Sequence, residues 1–336
     1  MPVRFNSFSS GNSVFSDSDP NCLEIGLVNN MPDSALQATE RQFLALLDAA
    51  ALGMTVRLTP LALPEVARGD VGRCHVNSYL SINDLWNRAL DGLIVTGMEP
   101  CAVNLVEEPY WPSLTRLMDW AEENTLSSIW SCLAAHAAVL HTDGVQRYRL
   151  KAKRSGIFDC ARASDHELTS GATDNFHMPH SRWNDLPEEA LTHSGYVLLT
   201  RSAAGIDCFV KQRKSLFVFF QGHPEYEADT LLLEYRRDVK RFLKGESDIF
   251  PTMPQSYFDD GSTAAWISLR ERSLSGRREE FIADLPAIPA PGVLSNTWHS
   301  DAVQLYRNWL LYMAERKYRN SKARTFGRQT AQVAAR

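Results

Sequence analysis

Two short stretches of this chain hold residue types that could do covalent chemistry. The first is SSIWSCLAAHAAVLHTDG, Ser127 to Gly144. A small, apolar run reaches Cys132, and an alanine-rich, helix-favouring run starts at Leu133 with no spacer. A thiol at such a strand-to-helix turn sits near unpaired backbone N–H groups and the positive end of the helix dipole. Both favour thiolate, the reactive form, and the same N–H groups can hold an oxyanion. Cysteine is also among the residue types most often buried and inert, so this stretch alone favours a core role. The second stretch is QGHPEYE, Gln221 to Glu227. Pro224 disfavours helix at His223, and in extended chain residues two apart face one side. His223 and Glu225 can therefore point into one site. Imidazole is a base near neutral pH, and a carboxylate can fix its tautomer and orientation. Cys132, His223 and Glu225 together supply nucleophile, base and orienter.

For these groups to meet, the strands that carry them must end together. Leu23–Asn30 reads as a buried strand stopped at Met31-Pro32. A helix comes next, with Leu36, Phe43, Leu44 and Leu47 on one face, and Ser34 with Gln37 has capping-box spacing. Met54–Leu61, Asp91–Gly97 and the run ending at Cys132 read as further strands. Strands alternating with helices predict a mostly parallel α/β sheet covered on both faces. Ligands in such sheets bind beyond the carboxyl ends of the strands. Residues 193–202, 206–215 and 216–225 read as short β runs, expected to extend the sheet in antiparallel fashion. A helix is expected from Tyr226 to Gly245, with Leu231, Leu232, Tyr235 and Val239 at helical spacing. The expected organisation is a loosely ordered segment 1–22, a single domain over 23–318 with an irregular insertion near 255–297, and a basic, solvated tail over 319–336.

Bulk properties narrow the function. The chain has 336 residues, 44% hydrophobic and 22% charged, with a net charge of −5. This suits a globular enzyme and favours no nucleic-acid partner. No apolar run approaches the ~20 residues that cross a bilayer, and residues 1–20 carry no apolar signal core. The six cysteines form no CxxC pair and match no zinc spacing. His136 and His141 have no partners at ligand spacing, so no metal is expected. The expectation is a cytoplasmic protein with free thiols.

The ordered set GLVNNMP, ATERQFLALL, DGLIVTG, PYWPSL, SCLAAHAAV, KRSGIFD, MPHSRW, QGHPEYE, LLLEYRRDV and NTWHSDAVQLYRNWLLYM resembles the homoserine O-acyltransferases of the homoserine O-succinyltransferase type. The resemblance covers about Leu23 to Ala314. It implies a flavodoxin-like, doubly wound fold similar to class I glutamine amidotransferases. It implies ping-pong acyl transfer from acyl-CoA to the homoserine hydroxyl, the activating step of methionine biosynthesis. It also implies a homodimer and no permanently bound cofactor, with acyl-CoA as co-substrate. By the same resemblance Cys132 carries the acyl group, His223 and Glu225 complete the triad, and Lys153, Ser181 and Arg237 bind substrate. The oxyanion hole falls to the backbone N–H groups of Met98 and Leu133.

Three places depart from the family pattern. Asp33-Ser34 stands where a lysine pair comes after MP. His136 lies one helical turn beyond the nucleophile, where it could contact substrate or raise the positive potential at Cys132. The loop after VTG, which helps choose between acyl donors, reads MEPCAVN, with Glu99 or Cys101 at the selecting place. Succinyl is favoured over acetyl, and serine or another amino alcohol stays open as acceptor. The rival class is a glutamine amidotransferase-like hydrolase, which shares the cysteine turn and the HPE motif.

Overall fold

Strands with no polar face need cover on both sides. Four runs are of this kind: CLEIGLV, GLIV, SSIWS and LFVFF are buried along almost their whole length. The computed structural model describes residues 3–5, 22–276, 278–290 and 292–334. In chain order its elements are β1 (Val3–Phe5), β2 (Cys22–Val28), α1 (Leu36–Ala51), β3 (Thr55–Leu61), α2 (Asp70–Val76), α3 (Ile82–Leu85), β4 (Gly92–Val95), α4 (Trp111–Asn124), β5 (Ser127–Ser131), α5 (Leu133–Asp143), β6 (Tyr148–Arg162), β7 (Asn175–Asp185), α6 (Glu188–His193), β8 (Val197–Ser202), β9 (Gly205–Gln212), β10 (Leu216–Phe220), α7 (Thr230–Leu243), α8 (Asp260–Ser275) and α9 (His299–Ala334).

Among the described residues the strands form one sheet in the order β1-β3-β2-β4-β5-β10-β9-β8-β6-β7. The half from β1 to β10 is parallel, and β10 to β7 is antiparallel. This is the α/β architecture with an antiparallel extension read from the sequence. Side chains alternate across the sheet as a period of two requires. Leu93, Trp130, Phe217 and Phe219 pack with α4 and α5 on one face. Ile94, Ile129, Val218 and Phe220 pack with α1 and α9 on the other. Helix α9 is pinned to the sheet by Trp309, whose indole N–H donates to Ser127 Oγ at 2.8 Å. A third cluster, holding Tyr226, Trp266 and Trp298, joins α7 to α8.

Several local expectations are corrected. Ser34 and Gln37 form no capping box, because Asp33–Ala35 is a 3₁₀ turn and α1 lacks a side-chain cap. The Asp33 carboxylate instead accepts the Gly69 N–H at 2.8 Å. The helix after the HPE motif starts at Thr230 rather than Tyr226, since Tyr226 turns back to donate its N–H to the His223 carbonyl. The segment expected to be irregular contains α8, a 16-residue helix capped by Asp259. The residues expected as a tail continue α9 to Ala334. Of the segment expected to be loosely ordered, Val3–Phe5 pairs with β3 and Cys22 begins β2; the rest lies outside the described residues.

The hairpin of β6 and β7 was not foreseen. Gly156 lets a second stretch of chain dock on it. Its φ is +136°, and a Cβ there would sit 2.4 Å from the Gln255 backbone. Gln255 donates its N–H to the Ser155 carbonyl at 2.9 Å and accepts from the Ile157 N–H at 3.0 Å. Polar groups are buried where the hairpin meets α5 and β10. Gln221 donates to Asp185 Oδ1 at 2.9 Å and to the Ile206 carbonyl at 2.8 Å, while its Oε1 faces His136 Nε2 at 2.8 Å. Asp185 is paired in turn with Arg154 and Arg182. Burial pushes the His136 pKa down to about 4. The imidazole is therefore neutral, donating from Nε2.

Gly156→Ala is expected to cost a few kcal/mol, because it combines left-handed strain with a backbone clash. Chemical denaturation would read this as a lowered midpoint. His136 gives a pH signature. Its folded pKa lies below the unfolded value of about 6.5, so the unfolded chain binds more protons in between. Stability from this group is full above that value and is lost as pH falls toward 4. Between pH 7 and pH 5 the unaltered protein should lose about 2 kcal/mol more than His136→Gln, measured by denaturant titration at both pH values.

Candidate active site

Strand β5 ends at Ser131, and its neighbour β10 ends opposite it at Phe220. Cys132 comes directly after one end and Gln221-Gly222-His223 after the other. Cys132 sits at φ 52°, ψ −113°, a conformation that L-residues rarely adopt and that costs of order 1–3 kcal/mol. The turn is held by its N–H, which donates to the Phe220 carbonyl at 2.7 Å, and by its carbonyl, which accepts from Ala135 at the start of α5. The sulfur is thereby lifted out of the apolar layer into a cleft, and Cys132 is the partly exposed member of an otherwise buried turn. Among the described residues no disulfide joins any of the six cysteines.

His223 faces this sulfur. Its backbone N–H donates to the Pro179 carbonyl at 2.8 Å, which ties it to β7. Gly222 allows the close approach, since a Cβ there would meet Met178 at 2.4 Å and Asp207 at 2.7 Å. Nδ1 of His223 lies 2.9 Å from Glu225 Oε1, and the ring hydrogen-bonds Cys132 on its other side. The ring stacks on Tyr226 with centroids 4.2 Å apart. Burial opposes the imidazolium, but the Glu225 carboxylate and the Cys132 sulfur outweigh it and hold the His223 pKa well above its usual value. The side-by-side His223 and Glu225 are present, but not through extended spacing: Pro224 and Glu225 form a turn, closed by the Tyr226 N–H on the His223 carbonyl, that folds the carboxylate back to the ring.

The cleft encloses about 480 Å³. Lys153 from β6, Ser181 from β7 and Arg237 from α7 all line it, as expected. They meet two carboxylates that the sequence did not single out. Lys153 Nζ lies 2.8 Å from Asp238 Oδ2 and 3.8 Å from Glu234 Oε2. Arg237 grips Asp238 Oδ1 through Nε and Nη2 at 2.9 and 2.8 Å. Ser181 donates to Glu234, which also accepts from the Tyr226 hydroxyl at 2.7 Å. Burial would raise the Asp238 pKa, but Lys153 and Arg237 hold it below the usual carboxylate range. Glu234, Arg237 and Asp238 fall at i, i+3 and i+4 of one helix, a spacing legible in LLLEYRRDV.

The remaining sequence candidates divide. Met98 and Glu99 line the cleft, and Glu99 is bridged to Arg241 at 3.2 Å. Leu133 opens α5 beside Gly97, whose position would bring a Cβ within 3.4 Å of the Leu133 nitrogen and 3.3 Å of Cys132 Cβ. Cys101 is exposed and is not part of the cleft wall. His136 is not part of it either. Its ring is turned into the buried contact with Gln221 and is neutral, so it adds no positive potential at Cys132. Arg149 and Trp183 line the cleft unforeseen, the guanidinium lying over the indole ring 4.9 Å from its centroid. Among the described residues, no group of three or more His, Cys, Asp or Glu could hold a metal ion, and no helix is long and apolar enough to cross a membrane.

Comparison with known proteins narrows the family. A solved glutamine amidotransferase from Methylobacillus flagellatus superposes with a TM-score of 0.50 at 16% identity, covering 87% of this chain and 95% of that one. That likeness shows a shared fold and leaves the reaction open. A curated homoserine O-succinyltransferase from Rhodopseudomonas palustris is 48% identical over 294 residues, 87% of this chain and 88% of its own. Another, from Bradyrhizobium japonicum, is 46% identical over 300 residues, 88% of this chain and 92% of its own. The family model described as homoserine O-succinyltransferase matches residues 8–319. With a match over nearly all of its length, the chain belongs to the homoserine O-succinyltransferase family.

Proposed function

We propose that this protein transfers a succinyl group from succinyl-CoA to the hydroxyl of L-homoserine, through a thioester on Cys132. The observation that carries the reading is the sulfur of Cys132 and the imidazole of His223 on the wall of a cleft rich in paired charges, with the buried Glu225 carboxylate 2.9 Å behind the imidazole. Cys132 thiolate attacks the thioester carbonyl carbon. The backbone N–H groups of Leu133 and Met98 stabilise the oxyanion. The carbon–sulfur bond to CoA breaks, and CoA leaves with a proton from the His223 imidazolium. One thioester has replaced another, so the step is nearly balanced and the intermediate is ready to react. The homoserine hydroxyl then attacks the acyl carbon while His223 takes its proton. Collapse expels Cys132 thiolate and leaves the ester. Glu225 keeps the imidazole in the tautomer that presents Nε2 to sulfur and hydroxyl in turn.

The charges fit the acceptor. Homoserine carries an ammonium and a carboxylate, and the cleft offers Glu234 and Asp238 beside Lys153 and Arg237. Arg237 suits the carboxylate through its planar fork, and Glu234 suits the ammonium. The succinyl donor brings a further carboxylate. Arg149 suits it best. It lies over Trp183 and, among the described residues, has no carboxylate partner. Glu99, whose charge would repel succinate, is offset by Arg241.

Intact-mass measurement after mixing with succinyl-CoA should show one succinyl adduct, absent in Cys132→Ala and discharged by homoserine. No adduct with succinyl-CoA or acetyl-CoA, or full turnover by Cys132→Ala, would overturn the covalent route. Ammonia released from glutamine would favour the hydrolase instead. Arg149→Ala should raise KM for succinyl-CoA about tenfold, the equivalent of one charge-assisted hydrogen bond of ~1.5 kcal/mol. Steady-state kinetics with acetyl-CoA, which lacks the distal carboxylate, should be unchanged.

A further inference from the structure

The catalytic cleft does not end at Arg237 and Arg241. These two residues and Glu246 also line a second groove of about 420 Å³, completed by Leu233, Arg236, Lys240, Lys244 and Ile288. The two hollows thus adjoin along α7, with these three side chains as their shared rim. Leu233, Arg236, Arg237, Lys240 and Lys244 fall at i, i+3, i+4, i+7 and i+11, which is one stripe of that helix. Eleven residues of helix cover roughly 16 Å, so the stripe leads well away from Cys132.

The groove has a strong charge imbalance. Five cations and one carboxylate line it; Arg237 and Arg241 are paired with Asp238 and Glu99 on the cleft side, which leaves Arg236, Lys240 and Lys244 beside the single carboxylate Glu246. The catalytic cleft differs, because its cations are largely neutralised by their own carboxylates. Among the described residues Lys240 and Lys244 have no ion-pair partner, and Arg236 directs one N–H to the Pro286 carbonyl rather than to an acid. Lysines at a helix C-terminus offset the negative end of the dipole, but that end carries only about half a charge. Lys240 and Lys244 together exceed it. Apolar surface flanks the cations: Leu233 and Ile288 are 45% and 50% exposed. The other large hollow, lined by Arg68 and Arg73 beyond β3, lacks this excess, since both arginines are paired with Asp33 and Asp70.

We infer that this groove binds the nucleotide end of acyl-CoA, with Arg236, Lys240 and Lys244 on the phosphates and Leu233 with Ile288 against the adenine. The inference rests on acyl-CoA being the donor. It gives the pantetheine arm a route along α7, past Arg241 and Arg237, to the sulfur of Cys132. Multiple phosphate charges in a solvent-exposed groove also make binding sensitive to ionic strength.

The test uses the full chain and two donors. One is succinyl-CoA. The other is the succinyl thioester of N-acetylcysteamine, which has the same reacting group and no nucleotide. In Lys240→Ala/Lys244→Ala, KM for succinyl-CoA should rise at least tenfold, with kcat and KM for homoserine unchanged. With the truncated thioester the variant and the unaltered protein should react alike. Binding of CoA alone, measured by calorimetry, should weaken by the same factor and weaken further with salt. An unchanged KM for succinyl-CoA, or an equal loss with both donors, would overturn the assignment. So would the same selective loss in Arg73→Ala, which would move the nucleotide to the other hollow. If the unaltered protein acylated from the truncated thioester but bound no CoA, the groove would be refuted while the cysteine chemistry stood. If neither donor left an adduct, both would fall.

Discussion

The Cys132 N–H reaches the Phe220 carbonyl across 2.7 Å, and through that bond two strand ends 89 residues apart are brought together. In a parallel pair both strands end on the same side of the sheet. Ser131 and Phe220 are register partners, so the segments that leave them must emerge together. From β5 the chain enters the cysteine turn, and from β10 it enters the segment leading to His223. The meeting of Cys132 with His223 therefore depends on the register of two apolar strands. A slip by one residue would turn alternate side chains to the wrong face and separate sulfur from imidazole. Phe217, Val218, Phe219 and Phe220 resist such a slip, because the alternating side chains fill two different cores.

The strain at Cys132 is tolerated because the elements around it are rigid. Its carbonyl is taken up by the first turn of α5, and that helix is buried among alanines that let it lie close to the sheet. One turn along, His136 closes the gap between α5 and Gln221, the residue two before His223. The start of α5 and the segment after β10 are thus joined twice, once by backbone and once by a neutral side-chain bond. A protonated His136 would face Arg182 and Arg147 without water to screen them, and both work with burial to keep it neutral. The histidine that sequence suggested as a source of positive potential is instead a neutral spacer.

The parts legible in the sequence carried strong local signals. The buried strands, the turn at Cys132 and the non-helical HPE segment each rest on composition or on a proline over a few residues. The β6–β7 hairpin lacked such a signal. The first half of β6 is mostly exposed, so it shows no apolar alternation, and Pro179 in β7 argues against a strand. The structure resolves the conflict by placing β7 at the edge of the sheet, where a missing N–H is tolerated. That proline's carbonyl then holds His223. Helix α8 was missed for a related reason. Its Gly, Ser and Thr residues read as turn formers, yet Trp266 and Leu269 anchor it in the third core. Ser181 and Lys153 were placed by family resemblance, whereas their partners Glu234 and Asp238 required the helix face to be assembled.

Under the proposed reaction, the cleft's charges let one site accept two unlike substrates in turn. Lys153, Arg237, Glu234 and Asp238 satisfy one another when the site is empty, so no buried charge is left bare with the penalty that isolation carries. A zwitterion entering this set exchanges partners with it, carboxylate for carboxylate and ammonium for ammonium. Such an exchange selects geometry more than it adds affinity, because each new pair replaces an old one. A polyanionic donor needs affinity from elsewhere, and uncompensated cations can supply it only where solvent already screens them. The half-exposed outer stripe of α7 meets that condition and the inner wall does not. Recognition of the acyl acceptor and retention of the acyl carrier can then lie on successive turns of the same helix.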